Sequence, residues 1–93
     1  MLLKWTEGAS AAQKQAVLAA LAGLPGKIPE IRAYVFGPDA AISDGNHDLA
    51  IVADFDDAAA YQAYAKHPDH VAMITQHVRP ILASRAAVQY EIP

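Results

Sequence analysis

The pentapeptide Leu49-Ala50-Ile51-Val52-Ala53, bounded by Asp48 and Asp54, constrains this chain more than any other segment. Read as part of a strand from about His47 to Phe55, it puts Leu49, Ile51 and Ala53 on one face and Ala50 and Val52 on the other. Both faces are therefore apolar. A strand over Ile31 to Gly37 repeats the pattern, with Ile31, Ala33 and Val35 opposite Tyr34 and Phe36. An antiparallel sheet with helices on one side can leave its other side in water, and its strands then alternate apolar with polar residues. These two do not. Left bare, such a face exceeds the apolar patch that monomers usually tolerate. The expected cover is a second copy related by two-fold symmetry, giving a homodimer through the sheet face.

The remaining elements follow from local signals. Met1 to Thr6 reads as a short strand with Met1, Leu3 and Trp5 on one face. Ser10 with Gln13 has the spacing of a capping box, and the helix it opens is expected to run to about Ala22, before Gly23 and Pro25-Gly26. Ser43-Asp44-Gly45-Asn46 supplies a turn. Asp56-Asp57 opens a helix carrying Tyr61 and Tyr64 that ends near Lys66. A second helical piece is expected from Pro68 to about Leu82, and a last strand from Arg85 to Ile92, where Val88, Tyr90 and Ile92 alternate with Gln89 and Glu91. The order is that of an α+β, ferredoxin-like βαββαβ layer, a four-stranded antiparallel sheet with helices on one face, in a single domain over residues 1–93. With odd positions of the first strand facing the helices, Lys4 points to the bare face. There it either meets Asp48 or Asp54 or extends past the sheet edge to water.

Composition narrows the function. The formal net charge of −3 argues against nucleic acid, which needs a basic surface. The absence of Cys excludes disulfides, thiolate metal sites and a Cys nucleophile. No Gly-rich phosphate loop is present and no cofactor is expected. No segment approaches the ~20 apolar residues of a membrane span, and the start is too short an apolar run for a signal peptide, so a cytoplasmic protein without membrane contact is expected.

Chemistry concentrates in Tyr64-Ala65-Lys66-His67-Pro68-Asp69-His70. Proline holds the residue before it out of helical geometry and suits the first position of a new helix. The expected shape is a corner at His67 with His70 in the first turn after Pro68. The helix dipole there disfavours an imidazolium, and a neutral His beside a phenol can move a proton or hydrogen-bond a polar ligand. The same residues also suit packing: His67 as a cap, His70 in first-turn contacts and Tyr64 as a core aromatic. No metal site is expected. His70 and His77 lie seven residues apart, about 10 Å along a helix, too far to share an ion.

Several segments resemble the stress-responsive A/B barrel (Dabb) family of dimeric α/β barrels. They are Leu3-Lys4-Trp5, Ile28-Pro29-Glu30-Ile31, His47 to Val52, Phe55-Asp56-Asp57, the Tyr64 to His70 motif and Val78-Arg79-Pro80. The resemblance spans essentially the whole chain and implies a homodimer in which two sheets face each other. A plant member that cyclises a linear polyketide by an aldol step carries Tyr-x-x-His-Pro-x-His. By that likeness His70 is the base and Tyr64 orients it or polarises a carbonyl. Many members also carry a His early in strand one; that position falls before Met1, and Leu3 and Trp5 leave this face apolar. The expected function is binding of a small, largely apolar molecule between helices and sheet. Leu3 and Trp5 line the site, and Tyr64, His67 and His70 form its polar end. Two alternatives stand beside it: a cofactor-independent cyclase or other carbonyl-substrate enzyme using His70 and Tyr64, and a structural stress protein acting through assembly.

Overall fold

The structure, a computed structural model, describes residues 1–92. Four strands, β1 (Leu2–Trp5), β2 (Ala33–Pro38), β3 (Leu49–Asp54) and β4 (Leu82–Ala86), form one antiparallel sheet in the order β2-β3-β1-β4. Three helices, α1 (Ala11–Lys27), α2 (Ala58–Lys66) and α3 (Pro68–Met73), carry much of the rest of the core, with Ile28 just after α1 and Val78 and Ile81 after α3. The expected ferredoxin-like layer is therefore present. Leu3 pairs with Leu49, and Phe36 with Ile51, so these side chains share one face of the sheet. Val17, Leu21, Leu24 and Ile28, spaced at helical intervals, are buried with them.

The N-terminus of α1 is closed as the sequence indicates. Ser10 Oγ accepts from the Gln13 N–H at 3.1 Å and Gln13 Oε1 accepts from the Ser10 N–H at 2.8 Å. Its C-terminus is not where the glycines and proline suggest. The helix passes through Gly23, Pro25 and Gly26 to Lys27. Beyond Ala22, Leu24 and Ile28 are both fully buried. Burying such side chains contributes roughly 1.5–3 kcal/mol each, enough to offset the ~3 kcal/mol cost of an interior proline. Tertiary burial overrides the local stop signal.

The second helical stretch also departs from a plain helix over 68–82. After α3 the chain widens into a π-helical segment over Ile74–Val78 and tightens into a 3-10 turn over Arg79–Ile81. The π-turn spans from just after Met73 to Val78, and both of these residues are buried. Pro80 sits within the 3-10 turn, and the Thr6 N–H binds the Ile81 carbonyl at 2.8 Å, which fixes where β4 begins.

β4 accordingly lies earlier than Arg85 to Ile92. Trp5 pairs with Leu82 and Leu2 with Ala86, with a register shift between Lys4 and Trp5. Strand β1 is only four residues long, and pairing ends with its first residue. Residues 87–92 follow outside any strand.

The sheet face away from the helices is apolar. Leu2, Val35 and Val52 are 42%, 66% and 59% exposed, and Val35 pairs directly with Val52. Lys4 is exposed and makes no ion pair among the described residues. Asp48 is engaged elsewhere: its Oδ2 accepts from the Trp5 N–H at 2.7 Å.

Candidate functional site

The corner between α2 and α3 is built by His67 and Pro68. His67 has φ −61° and ψ 134°, the extended geometry that a following proline imposes. Its N–H closes α2 on the Tyr64 carbonyl at 3.1 Å, and its Nδ1 accepts from the Asp69 N–H at 3.1 Å, capping α3. An accepting Nδ1 puts the proton of neutral His67 on Nε2. The His67 ring thus has a defined structural task. Pro68 opens α3, where its missing N–H leaves no broken bond.

His70, in the first turn of α3, folds back toward α2. Its Nδ1 stands 3.1 Å from the Ala65 carbonyl. A carbonyl only accepts, so Nδ1–H donates and the neutral ring keeps its lone pair on Nε2. That Nε2 makes no hydrogen bond among the described residues, and no buried side-chain nitrogen there lacks a partner. Nε2 is therefore open to solvent. Burial lowers the pKa of His70, the Ala65 carbonyl partly opposes this, and the nearby His67 adds to the lowering. The lowered pKa favours the neutral ring at pH 7.

Tyr64, only 8% exposed, lies against this imidazole with ring centroids 4.2 Å apart. Its hydroxyl is 3.2 Å from the Tyr34 hydroxyl. Phe55 packs on its ring at 5.0 Å, and Tyr61 and Tyr34 at 6.2 and 6.3 Å. Burial raises the pKa of both Tyr34 and Tyr64, most strongly Tyr64, so both phenols stay protonated and can donate. The arrangement is a short polar chain, Tyr34–Tyr64 beside His70, set into aromatic and aliphatic side chains. It can offer one base at Nε2 and hydrogen-bonding phenols behind it.

The structure brings Tyr64, His67 and His70 together. Leu3 is 1% exposed and belongs to the core with Tyr64. Trp5 lines a groove of about 240 Å³ with Lys14, Leu18 and Asp48. A larger groove of about 470 Å³ lies by Leu2, Asn46, His47 and Ala50. Neither groove includes Tyr64 or His70. Tyr34 is the residue that sequence reasoning missed as a polar member. Its strand parity with Phe36 was the available signal, because it places the phenol on the helix side with Ile51 and Ala53. Among the described residues no three His, Asp or Glu side chains gather as a metal ion would need, and no helix is long and apolar enough to cross a membrane.

Comparison with known proteins places this geometry in a family. The sequence profile of the Stress responsive A/B Barrel Domain (Dabb) matches residues 1–92. A dimeric ferredoxin-like protein of unknown function from Thermobifida fusca is 41% identical, with a TM-score of 0.90 over 98% of this chain and 85% of that one. A dimeric ferredoxin-like protein of unknown function from Bacteroides fragilis is 29% identical, with a TM-score of 0.83 over 98% and 90% of the two chains. A Dabb-family protein from Mesorhizobium loti, 19% identical with a TM-score of 0.71 over 89% and 82%, shares the fold. No curated protein matches.

Proposed function

The chain belongs to the stress-responsive A/B barrel family, and from that premise we propose that it works as a homodimer whose two sheets face each other. Each subunit then binds a small, largely apolar molecule carrying a carbonyl or hydroxyl beside Tyr64 and His70. The observation that carries the ligand reading is the neutral His70, with Nε2 open to solvent, in contact with a buried, protonated Tyr64. A solvent-facing lone pair backed by phenols and apolar side chains suits a ligand with one polar end. Leu3 underlies that end as part of the core, and His67 holds the corner on which His70 is mounted, while Trp5 lines a separate groove. Dimerisation is supported by the uncovered Leu2, Val35 and Val52 and by the dimeric proteins from T. fusca and B. fragilis.

The test is a titration of isotope-labelled protein with 4-hydroxyacetophenone, which joins an apolar ring to a carbonyl and a hydroxyl. Saturable amide shifts at Tyr64 and His70, lost in His70→Ala, are expected. Full occupancy without any perturbation of the α2–α3 corner contradicts the reading.

A second reading, a cofactor-independent enzyme acting on a carbonyl substrate, is favoured by the same free Nε2. His70 takes a proton from carbon next to the carbonyl while Tyr64 donates to the developing oxyanion. Turnover of a polyketide-like β-diketone that disappears in His70→Ala and falls less in Tyr64→Phe supports it. Unchanged turnover in His70→Ala removes it. Higher assemblies with no saturable ligand favour a structural role through assembly.

A further inference from the structure

Lys14 and Asp48 carry opposite charges and line the same groove, yet they form no ion pair with each other. This groove, of about 240 Å³, lies between the start of α1, the ends of β1 and β2 and the beginning of β3, apart from Tyr64 and His70. Its apolar wall is the half-buried Trp5 with Leu18 and Pro38. Leu18 stands one helical turn beyond Lys14, so α1 brings an aliphatic side chain and an ammonium to one side.

Asp48 is held from three directions. Its N–H donates to the Leu3 carbonyl at 2.8 Å, its carbonyl accepts from the Asp39 N–H at 2.8 Å, and its Oδ2 accepts from the Trp5 N–H at 2.7 Å. Oδ1 makes no hydrogen bond among the described residues and is not buried. Asp39 adds a second carboxylate to the lining, braced by the Ala41 N–H and the Asn46 side chain at 3.0 Å each. Lys14 is exposed and makes no ion pair among the described residues. The groove thus offers a fixed acceptor, a free ammonium and an aromatic wall.

We propose that this groove binds a free apolar α-amino acid. The ammonium of the ligand donates to Asp48 Oδ1, its carboxylate accepts from Lys14 Nζ, and its side chain lies on Trp5. Charge selects the class. A plain amine leaves Lys14 unpaired and sets a second cation beside it, and a plain carboxylic acid meets two aspartates. A zwitterion complements both signs at once, through charge-assisted hydrogen bonds that are stronger than neutral ones. The volume falls below the ~300–1,000 Å³ of pockets for drug-sized ligands, which suits a molecule as small as an amino acid.

Trp5 is the only tryptophan in the chain, so its fluorescence reports on the groove directly. The test titrates the protein with L-phenylalanine, phenethylamine and 3-phenylpropionate, with excitation where none of them absorbs. L-Phenylalanine is expected to change the emission saturably. Phenethylamine, which lacks the carboxylate, and 3-phenylpropionate, which lacks the ammonium, should each bind about tenfold more weakly. Lys14→Met, at an exposed position, should weaken L-phenylalanine about tenfold and leave phenethylamine no weaker. Asp48→Asn keeps an oxygen for the Trp5 N–H and should weaken L-phenylalanine and phenethylamine alike. If a variant does not fold, the three compounds on wild type still decide the matter. No saturable change with L-phenylalanine up to tens of millimolar overturns the proposal, as does equal affinity for all three compounds. Phenethylamine binding as tightly as L-phenylalanine overturns the zwitterion in favour of an amine site.

Discussion

The rings of Tyr64 and His70 meet with centroids 4.2 Å apart across the corner made by His67 and Pro68. The two residues stand on different helices, and the contact exists because proline forces a turn between them. His70 then satisfies its Nδ1–H on the Ala65 carbonyl of the preceding helix, which leaves only Nε2 for outside partners. One backbone constraint thus sets the tautomer, the orientation and the protonation state of the candidate site.

Proton linkage at His70 follows. Its folded pKa is lowered, chiefly by burial, so in the window between the folded and unfolded values the unfolded chain binds the proton first. The stability tied to a neutral His70 is present above the unfolded pKa and is lost as pH falls through the folded one. Proton NMR of the imidazole should give a midpoint below 6.5, and His70→Gln should flatten this part of the stability profile. A midpoint at or above 6.5 would show that the ring is not desolvated as described.

The Tyr34–Tyr64 pair makes a different prediction. One hydroxyl donates and the other accepts at 3.2 Å, and both phenols are largely removed from water. Tyr64→Phe and Tyr34→Phe should each destabilise by about 1 kcal/mol, because each leaves the remaining hydroxyl without its partner. The double variant should cost less than the sum of the two. Strict additivity in urea denaturation would mean that the two hydroxyls are not coupled.

Much of this could be read from the chain. The alternating residues of β2 and β3 gave both the buried and the bare faces. Ser10 with Gln13 located a helix start, and Pro68 located the corner that carries His70. What escaped was long-range. Helix α1 outruns Gly23 because Leu24 and Ile28 find burial in a sheet distant in sequence. β4 stops at Ala86 because its partner β1 begins at Leu2, whereas Val88, Tyr90 and Ile92 looked like strand by pattern alone. Tyr34 was placed by parity and not recognised as a hydrogen-bonding hydroxyl, since its partner is 30 residues away.

The extension of α1 through Pro25 carries its own test. Pro25 is exposed, lies inside the helix and cannot donate a backbone hydrogen bond. Pro25→Ala should restore that donor and stabilise the fold by roughly 1–3 kcal/mol, less what alanine adds to the entropy of the unfolded chain. A loss of stability would indicate that the proline ring makes a contact worth more than the missing bond.

Everything functional rests on whether the bare sheet is covered. Val35 and Val52 pair across β2 and β3 and both face outward, so Val52→Lys should leave the monomer folded while placing a charge in the interface. Sedimentation velocity at tens of micromolar is the most direct measurement. Wild type should run as one dimeric species and Val52→Lys as a folded monomer. A wild type that sediments as a stable, folded monomer would contradict the account.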